Sequence, residues 1–142
     1  MSKHKKIYWA APIHRDSDAL ANAENILILR KLGFDVWAPQ EAGIASDIAA
    51  RRSISLTEAR RSILHYDLAA MKNSDICVAF IDRPEGWSDG QLFEMGWFVG
   101  MNKPLIVWNV NSIPLTLMAE FTADFIIKGA DINPLVEVLG SI

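Results

Sequence analysis

Two carboxylates and a glycine lie close together in Ser88-Asp89-Gly90-Gln91-Leu92-Phe93-Glu94, directly after the apolar run 76–81. Ser88 and Gln91 have the S-x-x-Q spacing of a capping box, which starts a helix at Asp89. Glu94 then falls in the second turn with Gly90 one turn below it, and the missing side chain leaves open space beside the carboxylate. Leu92, Phe93, Met95, Trp97, Phe98 and Val99 make this helix apolar almost all round, so Glu94 is expected to be a buried carboxylate. The helix N-terminus favours its ionised form and apolar walls oppose it, which leaves the direction of the pKa shift open. An oriented, ionised glutamate is a nucleophile for an anomeric carbon. In retaining glycosyl transfer a second acid protonates the departing group, and Asp89 is placed for that step at a ring nitrogen.

Asp67 is a second anomaly. On a helix over 56–73 it shares a stripe with Ile63 and Met71, close to Leu64 and Leu68. A carboxylate there is costly unless hydrogen-bonded. It is either a boundary residue with a local partner or a carboxylate aimed into the cavity of Glu94. The single cysteine, Cys77, lies inside an apolar strand as a small core residue and leaves no basis for a disulfide framework or a cysteine-based metal cluster.

These residues must be positioned by alternating elements. Strands are expected at 6–11, 34–38, 76–81, 104–108 and 125–127, and helices at 16–32, 55–73, 89–101, 115–121 and 133–139, with 40–53 a mixed segment of loop and short helix. In the first helix Leu20, Ala23, Ile26 or Leu27, and Leu29 or Arg30 supply the helical spacing, and Gly33 closes it. Ser55 and Glu58 form a second capping-box pattern. Such alternation predicts an α/β fold, a flavodoxin-like or Rossmann-like doubly wound sheet of about five mainly parallel strands, in a single domain covering 1–142. Ligands of such sheets bind beyond the carboxyl ends of the strands, so the loops at 12–16 and 39–41 and the helix mouth at Asp89 are expected to form the site. Neither a G-x-G-x-x-G dinucleotide fingerprint nor a P-loop follows the first strand.

At 142 residues, with 51% hydrophobic and 22% charged residues, the chain has enough apolar material for a substantial core. A net charge of -3 gives no general attraction to nucleic acid or anionic membrane. The basic run Lys3-His4-Lys5-Lys6 reads as a solvated leader. No apolar run approaches the ~18 residues of a membrane span, and no signal-peptide core follows Met1, so a cytoplasmic protein is expected.

Taken together, Ile7-Tyr8-Trp9-Ala10-Ala11-Pro12, Asp67 with Asn73-Ser74-Asp75, Asp89-Gly90-x-x-Phe93-Glu94-x-Gly96, and Lys103-Pro104 resemble the nucleoside 2-deoxyribosyltransferases over residues 6–128. The resemblance implies a flavodoxin-like fold, no metal or organic cofactor, and ping-pong exchange of 2-deoxyribose between nucleobases through a glycosylated glutamate. By that resemblance Glu94 is the nucleophile, Asp89 the base-binding acid and Tyr8 the orienter of Glu94. Asp67 would bind deoxyribose hydroxyls, Gly90 would border the substrate, and Gln40 would lie by the base edge. The segment Leu115-Thr116-Leu117-Met118 resembles one that reaches into a neighbouring subunit's site, with Thr116 in place of the usual asparagine, which implies a homodimer or higher homo-oligomer. Gln91 stands where a small Thr or Gly is common, and Trp9 is bulky for its place. The implied partners are deoxynucleosides and free nucleobases.

Two other functions compete. A hydrolase of the same superfamily, acting on deoxynucleoside 5′-monophosphates, would use the same nucleophile and need a phosphate site, for which His14, Arg15, Arg51, Arg52, Arg60 or Arg61 are candidates. A non-enzymatic flavodoxin-like module would use Asp67, Asp89 and Glu94 as an acidic pocket for Mg²⁺, but the first strand lacks the paired acids such a pocket needs.

Overall fold

A computed structural model of the chain describes residues 5–13 and 15–142; His14, and Lys3 and His4 of the basic leader, lie outside the described residues. Five strands, β1 (Lys6–Ala10), β2 (Asp35–Trp37), β3 (Ile76–Ile81), β4 (Leu105–Asn109) and β5 (Phe125–Lys128), form one sheet in the order β2-β1-β3-β4-β5. Every ladder is parallel, where mainly parallel pairing was expected. Between them run α1 (Asp16–Lys31), a 3-10 turn (Pro39–Ala42), α2 (Ala45–Arg52), α3 (Leu56–Asn73), α4 (Asp89–Gly100), α5 (Leu117–Thr122) and the terminal α6 (Asn133–Ser141). The unassigned stretch 40–53 is therefore the 3-10 turn and α2. The chain leaves β1 towards β2 on one side and later returns to place β3 on the other, so the topological switch point lies between β1 and β3.

The period-2 alternation of strand side chains divides the core between the two faces of the sheet. Ile7, Trp9, Val78, Phe80 and Trp108 meet α1 and α6 on one face. Tyr8, Ala10, Cys77, Ala79 and Val107 meet Met71 of α3 and Met95 and Phe98 of α4 on the other. Tyr8 is thus directed at the same face as α3 and α4 by strand parity alone.

Local signals set the helix limits. Ser55 accepts from the Glu58 amide and the Glu58 side chain accepts from the Ser55 amide, the expected capping box. Gly33, at φ 94°, closes α1 with the two reciprocal bonds of a Schellman turn, from the Gly33 amide to Arg30 O and from the Phe34 amide to Leu29 O.

Two expected faces are corrected. The inward stripe of α1 is Asp18, Asn22, Ile26 and Leu29, while Leu20 and Leu27 are exposed. Hydrogen bonds to Asp18 and Asn22 make their burial tolerable, so polarity at these positions does not turn the face outward. Helix α4, expected to be buried all round, buries Gln91, Met95 and Phe98 against the sheet and leaves Leu92 and Phe93 exposed on its other side.

Candidate active site

The carboxyl ends of β1 and β3 carry the site, and α4 brings Glu94 to it. Gln91, Met95 and Phe98 form the inward stripe of α4, and Glu94 lies between them, one turn after Gln91. The Tyr8 hydroxyl donates to Glu94 Oε2. Burial, then the Glu94 charge, drives the Tyr8 phenol far above its ordinary range, so it stays protonated and donates to the carboxylate. Cys77 lies beside Tyr8 in the β1–β3 register and is fully buried, with its thiol pushed upward chiefly by that burial.

Burial dominates the Glu94 carboxyl and raises its pKa to about 7; the Tyr8 hydrogen bond acts against this and the neighbouring Asp67 charge adds to it. The balance between helix terminus and apolar walls is thereby decided for the walls. Asp67 reaches the same place from α3, its pKa raised to about 6 by burial. Its Oδ1 is buried without a hydrogen-bond partner, which favours the reading of a carboxylate aimed at a cavity over that of a boundary residue.

A cavity of about 200 Å³ brings Asp67, Glu94, Gly90, Gln91 and Ser88 together with apolar walls from Ile13, Pro39, Leu64, Leu68 and Phe93. A Cβ on Gly90 would meet nothing within 4 Å, so the space anticipated beside Glu94 is open. Asp89, the first residue of α4, is exposed and does not itself line the cavity, although its neighbours Ser88 and Gly90 do. An oriented carboxylate beside a second carboxylate with an unpartnered oxygen, in one cavity, can hold a hydroxylated ligand against a nucleophile. Among the described residues no group of three or more His, Cys, Asp or Glu side chains gathers to hold a metal ion.

Other candidates lie elsewhere. Gln40 is outside the cavity lining, its Nε2 donating to Ala19 O and its Oε1 accepting from Asn22 Nδ2. Thr116 caps α5, its hydroxyl accepting from the Ala119 amide. With Met118 it lines a separate apolar groove of about 480 Å³ between α4 and α5, beside Leu92, Met95 and Val99. Trp9 is buried on the opposite sheet face and donates to Asn22 Oδ1.

None of the candidate phosphate-binding arginines lines the Glu94 cavity. Arg15 is paired with Asp18 and Glu85, and Arg83 with Asp18, in an ionic clamp joining α1 to the loops after β1 and β3. Arg51 and Arg52 border another depression with Trp37 and Tyr66, and Arg60 and Arg61 are exposed on α3. Sequence reasoning missed Asn22, which holds the loop after β1 through Trp9, Pro12 O and Gln40. Its signal was a polar residue at i−4 from Ile26 and i−7 from Leu29, the same sign that singled out Asp67.

No helix among the described residues is long and apolar enough to cross a membrane. The family model for nucleoside 2-deoxyribosyltransferases matches residues 7–128. A protein of Thermofilum pendens bearing, as a provisional assignment, the name 2′-deoxynucleoside 5′-phosphate N-hydrolase 1 is 29% identical over 102 residues, 71% of this chain and 65% of that relative. The match thus spans less than two thirds of the relative's length. Three solved structures show the same fold: a 2-deoxyribosyltransferase from Bacillus psychrosaccharolyticus (22% identity, TM-score 0.74, 92% of this chain and 89% of that one); a conserved protein from Enterococcus faecalis (20%, 0.75, 97% and 99%); and a CMP N-glycosidase from Clostridium botulinum (19%, 0.60, 97% and 100%). With the family model covering most of the sequence, from Ile7 in β1 through Lys128 at the end of β5, the chain belongs to the nucleoside 2-deoxyribosyltransferase family.

Proposed function

We propose that the protein transfers 2-deoxyribose between nucleobases through a covalent glutamyl intermediate, with retention. The observation that carries this reading is Glu94, half-buried, held by the Tyr8 hydroxyl and facing a second carboxylate, Asp67, with an unpartnered oxygen. In the first half-reaction a Glu94 oxygen bonds to C1′ as the C1′–N bond breaks, the electron pair leaving with the base, which takes a proton from Asp89. In the second, a ring nitrogen of the incoming base attacks C1′, Glu94 departs as carboxylate, and the proton returns to Asp89. Asp67 holds a sugar hydroxyl, and Gly90 leaves room for the ligand beside it.

Hydrolysis of a deoxynucleoside 5′-monophosphate is the second reading, with water in place of the second base. The Thermofilum relative's name favours it. Against it, the cavity lining contains no arginine, and Arg15 and Arg83 are already paired with carboxylates. A non-enzymatic module has no support comparable to the family match.

The groove between α4 and α5 and the exposed Leu117, Met118 and Phe121 beside it are the surface expected to meet a second copy, bringing Thr116 and Met118 to the neighbouring site. The functional test is incubation with deoxyinosine plus adenine, thymidine plus adenine, and deoxynucleoside monophosphates alone, with chromatography of the products. Deoxyadenosine is expected from the first mixture, and its formation from the second sets the base range. Free base from the monophosphates without any exchange product would transfer the assignment to the hydrolase.

A further inference from the structure

We propose that Gln91 is a specificity-determining residue whose side-chain oxygen accepts a hydrogen bond from the bound substrate. This rests on the glycosyl-transfer reading of the Glu94 site and names a contact within it. Gln91 is only 1% exposed, yet it belongs to the lining of the Glu94 cavity. Its Nε2 donates to Ala10 O and to Phe80 O, each at 2.9 Å. Those carbonyls belong to the ends of β1 and β3, so the amide spans the sheet at its switch point. The two carbonyls also fix the orientation of the amide, because the reversed rotamer would set three oxygens against one another with no proton between them.

Its Oε1 is thereby left as a buried acceptor without a partner. Asp67 Oδ1 is another such atom, and both residues line the same cavity. Tyr8, the hydroxyl donor beside Glu94, already donates to that carboxylate. Among the described residues, Asp67 and Gln91 therefore each bring a buried, unmatched acceptor to the cavity lining, and a ligand that satisfies both must carry donors in two places. A deoxynucleoside does, with sugar hydroxyls at 3′ and 5′ and, in deoxyinosine, an N–H on the base. Asp67 takes one donor and Gln91 another. A substrate lacking the Gln91 donor leaves that buried oxygen unmatched in the complex, which is how a site of this kind rejects analogues.

The test compares kcat/KM for 2′-deoxyinosine with values for 2′,3′-dideoxyinosine, 2′,5′-dideoxyinosine and purine 2′-deoxyriboside, which lack the 3′-hydroxyl, the 5′-hydroxyl and the base N–H, in wild type and Gln91→Met. Losing the sheet anchor slows the variant on every substrate alike. Losing the substrate contact does not: the penalty for one analogue, about tenfold in wild type, should nearly vanish in Gln91→Met, and that analogue identifies the donor. Equal penalties in both proteins for all three analogues would overturn the proposal.

Should Gln91→Met fail to fold, Glu94→Ala protein labelled at glutamine ¹³Cδ supplies the same answer, since the chain has only Gln40 and Gln91. Deoxyinosine should move the Gln91 carbonyl resonance and one analogue should not; a resonance unmoved by saturating deoxyinosine rejects the contact. Transfer without this coupling removes Gln91 alone. A shifted resonance in a protein whose wild type cleaves no glycosidic bond keeps the contact and removes the transferase reading.

Discussion

As the proposed nucleophile, Glu94 must be ionised to attack C1′, and its carboxyl is held at about 7, so the acidic limb of the kcat/KM profile should rise around neutral pH. The signs of two substitutions follow from its neighbours. The Tyr8 hydrogen bond lowers the Glu94 pKa, so Tyr8→Phe should move that limb to higher pH and slow turnover by roughly 10- to 100-fold. The Asp67 charge raises it, so Asp67→Asn should move the limb to lower pH while weakening sugar binding. Profiles that stay in place in both variants would show that another group controls the limb. Glu94→Ala should abolish transfer with the circular dichroism spectrum unchanged; transfer at the wild-type rate would remove Glu94 as nucleophile. Asp89→Asn should slow donors with poorly leaving bases more than donors with good ones, and uniform losses would count against proton donation.

Helix α4 is the element on which the site depends, because one surface packs on the sheet while its first two turns border the cavity. Gly90 has open space where a side chain would begin, so Gly90→Leu should leave the fold intact and fill the ligand's place. The expected result is a KM raised by about tenfold or more at an unchanged melting temperature, since a few misplaced methylenes carry that much discrimination. A normal KM would place the ligand elsewhere. On α3, which carries Asp67, Ser55→Ala removes the capping bond to Glu58 and should reduce stability by about 1 kcal/mol, measured by urea unfolding, with little change in the site.

For the whole molecule, two buried acids make stability depend on pH. Glu94 and Asp67 have folded pKa values of about 7 and about 6, above their ordinary 4.5 and 3.8, so across that interval the folded chain holds more protons than the unfolded one. Their contribution to stability is complete below the ordinary values and is lost as pH rises through the folded ones. The melting temperature should fall between about pH 4.5 and 7 from the Glu94 term, and Glu94→Gln should flatten that fall and make the chain more stable than wild type at pH 8. A wild-type slope retained in Glu94→Gln would assign the dependence to other groups. The proposed assembly is tested at the same scale: Phe121→Glu on the exposed edge of α5 should shift a light-scattering mass from dimer towards monomer and reduce transfer with it. A monomeric wild type of full activity would remove the proposed cross-subunit closure.

By itself the sequence determined the alternation of elements, the capping box at Ser55 and the N-cap at Ser88, where Gln91 turns to the sheet instead of closing the box, and it singled out Glu94 and Asp67 as carboxylates on apolar helices, because these are local or periodic signals. Period-2 alternation and turn chemistry act within a few residues, and an isolated carboxylate in an apolar stripe is visible without knowing its partners. Only the tertiary structure decided what those side chains meet. The α1 face could not be read correctly while Asn22 and Asp18 counted simply as polar, since their burial depends on Trp9 in β1, Gln40 after β2 and Arg83 after β3. The Glu94 pKa stayed open for the same reason: the helix terminus is local, but the desolvating walls and the Asp67 charge arrive from distant parts of the chain. Gln91 was visible as an unusual residue, while its task required the carbonyls of Ala10 and Phe80 to be brought side by side, which sequence spacing does not encode and the parallel β1–β3 ladder supplies.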